Sequence, residues 1–256
     1  MQWQHESRLF RTPADGKPVH ILPVSHDGRV ASAPLDEGTV RAEDVLLGVF
    51  EDALWYARPV DEVRDDAITF RDSPTELIAT ASALVRWHSK APRCEACNGE
   101  TTPAEAGHRR ACLDCGEVLF FRTDPAVIVA ITDPQDRLLL ARQRSWPEGR
   151  HSVIAGFVEV GESLEQACVR ETKEEVGLDV EDIRYFGSQP WPFPRSVMIG
   201  FTALAKHPEQ LLVDGEEIVE ASFLTRGELA SKLAAGQMSL PGHASIGRAL
   251  IGAWQG

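Results

Sequence analysis

The sequence predicts a chain of mixed α and β structure in three parts. An N-terminal α/β domain covers residues 1–90, a four-cysteine ribbon 91–122, and a domain of strands alternating with helices 123–256. Three observations predict this. Two Cys-x2-Cys pairs stand in mid-chain, Cys94/Cys97 and Cys112/Cys115. Just beyond them, the unbroken apolar run Ala126–Ile131 has the length and β-branched content of a buried strand. Further on, Leu164, Ala167 and Cys168 recur at helical spacing between a capping box, Ser163-x-x-Gln166, and a stop at Gly177.

In order along the chain, VHILPV and VLLGVF read as strands, with turn signals at Asp27-Gly28 and Glu37-Gly38. A helix then runs from Pro74 to Ser89. Ser73 or Thr75 can cap it, Leu77, Ala81, Leu84, Val85 and His88 lie near helical spacing, and Pro92 ends it. Nothing before the ribbon carries a chemical signature. The fourteen residues between the cysteine pairs contain Gly, Thr and Pro and read as a short hairpin. After Ala126–Ile131, a turn at Asp133-Pro134 leads into a second strand, RLLLARQ. The third domain has two helical segments, Ser163–Glu175 and Ala244–Trp254.

Composition narrows the function. The 256 residues hold 26 Lys+Arg against 39 Asp+Glu, a net charge of −13, and 43% are hydrophobic. Such a chain can bury a core. It has no apolar window of about 18 residues and no basic-then-apolar leader, so a cytoplasmic protein without a membrane span is expected. A net acidic surface repels polyphosphate, so phosphate chemistry here needs a metal.

Two CxxC knuckles supply the four thiolates that tetrahedral Zn²⁺ takes, and Cys94, Cys97, Cys112 and Cys115 are the expected ligands. Paired disulfides or redox sites use the same spacing, but no secretion signal or disulfide-dense scaffold accompanies it. From Lys90 to Arg122 there are five Lys/Arg and five Asp/Glu. That neutral balance suits a structural staple better than a nucleic-acid docking surface. Cys168 lies apart and reads as a small buried apolar residue.

Between Glu159 and Asp182 there are nine Asp/Glu and two basic residues, Arg170 and Lys173. At about 100° per residue, Glu171 and Glu175 fall in line with the apolar stripe of the helix and Glu174 falls beside it. Charge on a core-facing side is costly unless paired or metal-bound. Gathered carboxylates of this kind suit the hard cations Mg²⁺ and Mn²⁺. Arg170, four residues before Glu174, is placed to orient it. Upstream, Gly156 permits a tight passage from strand to helix and close backbone approach to a ligand. Later, three prolines in five residues stiffen the backbone around Trp191 and Phe193. That segment reads as a platform for a planar ring, a rigid loop or a proline-rich ligand.

The pattern Gly156-x5-Glu162-x7-Arg170-Glu171-x2-Glu174-Glu175-x-Gly177-Leu178 resembles the Nudix box, the signature of hydrolases acting on nucleoside diphosphates linked to another moiety. Thr172 stands where that family usually has an aliphatic residue. The stretch Ser188–Ser196 (SQPWPFPRS) looks like the array of the NADH pyrophosphatase branch, also described as NAD-capped RNA hydrolases. The ribbon directly ahead of the box belongs to the same branch, and the resemblance covers residues 90–256. It implies a Nudix fold, a mixed sheet between helices, working as a homodimer.

The resemblance also implies roles. Glu171, Glu175, Glu220 and the Ala155 carbonyl would hold Mg²⁺ or Mn²⁺, with Glu174 either a further ligand or a water-orienting base. Gln189, Pro190, Trp191, Pro192, Phe193, Pro194, Arg195 and Ser196 are carried over as substrate-binding. Phe157 resembles the aromatic that packs on a base. Phe120 stands where the family has Tyr, so a ring is kept and a hydroxyl lost, and Gly247 keeps room for a backbone contact. The implied reaction is hydrolysis of the NAD(H) pyrophosphate to nicotinamide mononucleotide and AMP, with NAD caps on RNA as an alternative substrate. Two other readings are a Nudix enzyme for another dinucleotide or ADP-ribose, and an RNA-binding module. The last needs a basic track beside the aromatics, and the acidic balance supplies none.

Overall fold

The computed structural model describes residues 17–35, 39–50, 52–63, 66–90 and 92–256. The turn expected at Glu37-Gly38 lies outside them. The chain divides into two compact units, one running to Thr123 with Pro192–Arg195 added, the other formed by Asp124–Trp191 and Ser196–Gly256.

The first unit contains a three-stranded sheet of β1 (Val19–Ser25), β2 (Val45–Phe50) and β3 (Ala53–Val60), ordered β1-β3-β2. Sequence periodicity overlooks β3, the central strand. It carries Arg58, which a buried strand tolerates only when satisfied, and Pro59, which cannot donate to a ladder. Asp44 resolves the first difficulty, since its buried carboxylate takes Arg58 Nε at 2.8 Å and Nη2 at 2.6 Å. Helix α1 (Glu76–Ser89) is capped by Thr75 rather than Ser73, the Thr75 hydroxyl accepting from the Ile78 N–H at 3.3 Å.

The ribbon belongs to this unit. Strands β4 (Thr101–Ala104), β5 (Arg109–Cys112) and β6 (Val118–Phe120) form an antiparallel sheet, so the spacer is the expected hairpin. His88, at the end of α1, ties the helix to the ribbon. Its Nε2 lies 2.7 Å from the Gly107 carbonyl and its Nδ1 2.9 Å from Arg110 Nη1, so the neutral ring donates through Nε2 and accepts at Nδ1. The four cysteine sulfurs lie within 4.8 Å of one another, with separations of 3.4, 3.5 and 3.7 Å among them. A Zn–S length of about 2.3 Å gives a tetrahedron edge of about 3.8 Å, so the cluster fits zinc. Backbone N–H groups, that of Cys115 first, point at the Cys112 sulfur and hold its thiol down at about 7, which favours the ligating thiolate.

The second unit is built on a six-stranded mixed sheet. Its path runs β10 (Val180–Trp191), β11 (Ser196–Ala205), β7 (Asp124–Thr132), β8 (Leu138–Gln143) and β12 (Ile218–Leu224), with β9 (Ile154–Phe157) also paired to β7. Alternation along β7 feeds two cores. Val127, Val129 and Ile131 meet Ala167, Cys168 and Val176 of α2 (Leu164–Val176) on one face. Ile128 and Ala130 meet Leu229 of α3 (Arg226–Ala234) and Leu250, Ile251 and Trp254 of α4 (Ile246–Gln255) on the other. The sheet therefore lies between helices, as expected. Helix α3 is an addition to the two expected helices. Its signal is a capping box, Thr225 with Glu228, masked by Gly227 inside the first turn.

Purified protein should carry about one zinc per chain. Changing Cys97→Ser should release it and lower the melting temperature by more than about 5 °C. A zinc-free variant that melts with the parent would show that the ribbon does not depend on the ion.

Candidate active site

Helix α2 starts and stops where its sequence dictates. Ser163 and Gln166 make the reciprocal capping box, and Gly177 ends the helix at φ 69°, a conformation that costs a residue with a Cβ about 1 kcal/mol. Its core face then carries acids. Glu175 is 5% exposed and the Glu171 side chain 13%, whereas the Glu174 side chain is 61% exposed. Burial, followed by the charges of Glu217, Glu171, Asp214 and Glu174, pushes the Glu175 carboxyl up to about 8. Burial also raises Glu171, against the pull of Arg170. A side chain at position 156 would occupy the space of the Glu171 carboxylate, so Gly156 is needed for that acid to approach the strand.

Arg170 organises the solvent side of the cluster. Its Nε and Nη2 bond both oxygens of Glu162 at 2.8 and 2.9 Å, and Nη1 reaches Glu171 at 2.9 Å and Glu174 at 3.0 Å. Nη2 also donates to the Phe157 carbonyl at 2.8 Å. The expected Arg170–Glu174 pair is therefore one arm of a larger clamp. The bidentate Glu162 partner holds the guanidinium in place, and that pairing holds the Glu162 carboxyl below the usual range.

Glu220 does not join the α2 acids. It pairs with Arg142 across β12 and β8, and Arg142 follows Leu138 and Leu140, which face α3 and α4. Its carboxylate lies 3.3 Å from Arg142 Nε and 3.5 Å from His151 Nε2, on the sheet face away from α2. Glu217 is the acid of this segment whose charge acts on the α2 pair. This acid is the leading charge acting on Glu175, and it also raises Glu171. Asp214 presents it by accepting the Glu217 and Ile218 N–H groups at 2.9 and 2.8 Å, while Gln143 Nε2 steadies its carboxylate at 2.8 Å. Period-two alternation puts positions 217 and 220 on opposite faces, and the register of β12 on β8 shows that Glu220 is on the side away from α2.

The Pro-rich segment is a hairpin, with Gln189, Pro190 and Trp191 on β10 opposite Met198, Val197 and Ser196 on β11. Gln189 is committed to the protein. Its amide donates to the Ala244 carbonyl at 2.7 Å and accepts from the Ile246 N–H at 2.8 Å, clamping the start of α4. Pro192, Phe193, Pro194 and Arg195 fall in the first unit, where the Phe193 ring lies 6.4 Å from Phe70 with the Arg71 guanidinium 5.0 Å over its face. That ring is half-buried, with these two neighbours beside it. Ser196 is buried at the start of β11. Phe157 is 58% exposed on β9, where Ala155 pairs with Ile128. A Cβ on Gly247 would stand 3.1 Å from Ile128 and 3.3 Å from the Ser152 hydroxyl, so the close fit is with the protein itself. Phe120, 62% exposed, belongs to the first unit.

Residues 122–240 match the model of the NUDIX domain. This stretch is a Nudix domain. It is 48% identical over 192 residues to the NAD-capped RNA hydrolase NudC of Mycobacterium bovis (strain BCG / Pasteur 1173P2), covering 72% of this chain and 61% of that one. It is 35% identical over 199 residues to the NAD-capped RNA hydrolase NUDT12 of Macaca fascicularis, covering 73% and 43%. A NUDIX hydrolase structure from Nitrosomonas europaea aligns with a TM-score of 0.44 at 24% identity, covering 58% of this chain and 96% of that one. The chain thus spans about six tenths of the length of the mycobacterial relative and less than half of the macaque one. Within the Nudix helix, Thr172 fits the aliphatic slot because it is buried with its hydroxyl bonded to the Cys168 carbonyl at 2.7 Å. Sequence reasoning saw the box acids but not Glu217, nor the clamp role of Glu162.

A carboxyl whose folded value is raised keeps its proton in the folded state while the unfolded chain loses it, so stability falls as pH rises from 4.5 towards 8. In metal-free protein, Glu175→Gln should therefore stabilise at pH 8 by on the order of 2–4 kcal/mol, with the gain vanishing below pH 4.5. Thermal melts across pH would expose the error if the two proteins shared one profile.

Proposed function

We propose that the chain hydrolyses the pyrophosphate bond of NAD(H), releasing nicotinamide mononucleotide and AMP, and acts on the same bond in NAD caps at RNA 5′ ends. The buried acid pair Glu171 and Glu175 carries this reading. Two acids on the core side of one helix, with the charge of Glu217 acting on both, offer oxygens of the kind that a hard divalent cation, Mg²⁺ or Mn²⁺, takes. Such a cation would offset diphosphate charge and lower the pKa of a bound water. The relatives named as NAD-capped RNA hydrolases support the choice of substrate.

The side chains divide the remaining work. Glu171, Glu175 and Glu217 would hold the cation, together with the Ala155 carbonyl. Glu174 is the exposed acid, and Arg170 Nη1 fixes one of its oxygens at 3.0 Å. That arrangement suits orienting a water and taking its proton. Arg170 also fixes the Phe157 backbone, so the exposed Phe157 ring stands at a set distance from the acids, as a stacking surface for a base. Trp191 and Ser196 contribute further substrate contacts, and Gln189 acts by positioning α4 and Gly247. Phe120 would serve a pocket shared between two copies, which makes the working form a homodimer.

NADH incubated with Mg²⁺ or Mn²⁺ should yield nicotinamide mononucleotide and AMP in equal amounts, and none with chelator. Glu175→Gln and Glu217→Gln should each lower turnover at least a hundredfold, and Glu220→Gln less than tenfold. Wild-type turnover in Glu175→Gln would refute the reading, and a larger loss in Glu220→Gln than in Glu217→Gln would return the metal role to Glu220.

A further inference from the structure

The ribbon has little besides its sulfurs to hold it together. Between residues 92 and 122 the only buried hydrophobic side chains are those of Cys94, 3% exposed, and Cys112, 5% exposed. Arg110 is buried as well, bonded to Thr101 and His88 rather than to apolar neighbours. A segment this small without an apolar core depends on its staple. Loss of the ion therefore loosens the ribbon.

The four sulfurs are not equivalent. The Cys94 N–H donates to the Gly99 carbonyl at 3.0 Å and the Cys112 N–H to the Glu117 carbonyl at 2.8 Å, so each knuckle folds back over its first cysteine. Cys97 and Cys115 lie in the turns, and both are exposed. Each knuckle thus presents one sulfur to solvent, and these two stand 3.4 Å apart, against 3.5 Å for Cys97 and Cys112 and 3.7 Å for Cys94 and Cys115. A disulfide between the exposed pair needs about 1.4 Å of approach. The fifth cysteine of the chain does not compete. Cys168 is fully buried in the second unit, and burial pushes its thiol up to about 12.

We propose that Cys97 and Cys115 form an oxidation site, where a hydroperoxide converts two zinc-holding thiolates into a disulfide between the knuckles and so releases the ribbon. The exposed thiolate reached first attacks the O–O bond of hydrogen peroxide, gains OH to become a sulfenic acid and expels hydroxide. The other thiolate attacks that sulfur, so the S–S bond forms, the S–O bond breaks and a second hydroxide leaves. The two thiolates lose two electrons and the peroxide gains them, while two protons from solvent turn both hydroxides into water. Cys94 and Cys112 are left as two of the four ligands that a structural zinc site takes, too few to retain the ion. An uncharged oxidant suits the place, since a chain at net −13 repels anionic ones. The site stands on the ribbon alone and is independent of the hydrolysis proposed above.

The test titrates hydrogen peroxide into the full zinc-loaded chain, freed of other thiols, beside a peroxide-free control. A chromophoric chelator reads the zinc released, and mass spectrometry of unreduced peptides reads the pairing. About one zinc per chain should leave as the disulfide between Cys97 and Cys115 appears, and dithiothreitol with added Zn²⁺ should reverse both. Trypsin should cut after Arg110, which is buried in the parent, at least about tenfold faster in the oxidised chain. Cys168→Ala should release zinc at the parent rate. The proposal is overturned if zinc stays bound under excess peroxide, or if the first disulfide joins any other pair. It is also overturned if Cys168→Ala slows the release, or if the oxidised ribbon resists trypsin as the parent does.

Discussion

Everything in the second unit is arranged around two carboxylates held out of water on the core face of a helix. Placing Glu171 and Glu175 there is unfavourable by itself, and the raised protonation of both records that cost. The surrounding structure keeps them in place. Gly156 leaves the space that Glu171 fills, the Ser163 and Gly177 caps set where the helix begins and ends, and Arg170 neutralises the outer rim without reaching Glu175. A protein selected only for stability would have apolar residues at these positions. The strain is consistent with a site that becomes favourable when a divalent cation arrives.

The mixed sheet explains why these acids face one way while Glu220 faces the other. Strands β7 and β8 send alternate residues to α2 and to α3 with α4, so the parity of a residue decides which layer it serves. Glu217 precedes β12, in a turn held by Asp214, and lies by Gln143 on the α2 side. Glu220 falls opposite Arg142 on the other side. Two acids three positions apart thus have different surroundings, one in a turn and one on the strand.

Much of this was legible in the sequence. Helix α2, its caps and the orientation of Glu171 and Glu175 follow from spacing alone, because one helix with strong boundary residues needs no long-range information. The ribbon was legible because four thiols have few uses at that spacing. What escaped depends on partners distant in sequence. Strand β3 hides behind Arg58 and Pro59 until Asp44 is known to satisfy the arginine. The Gln189 amide looks available until Ala244 and Ile246 take both its ends. Phe193 gives no sign in the sequence of its neighbours Phe70 and Arg71.

If the buried carboxyls exist to receive a cation, the cation must displace their protons. Calorimetric titration of Mn²⁺ at pH 7, repeated in buffers of different ionisation enthalpy, counts the protons released on binding. With Glu175 held near 8, parent protein should release close to one proton per site, and Glu175→Gln should release clearly fewer. Mn²⁺ binding without proton release, or release unchanged in the variant, would contradict the claim that these acids are the metal's seat.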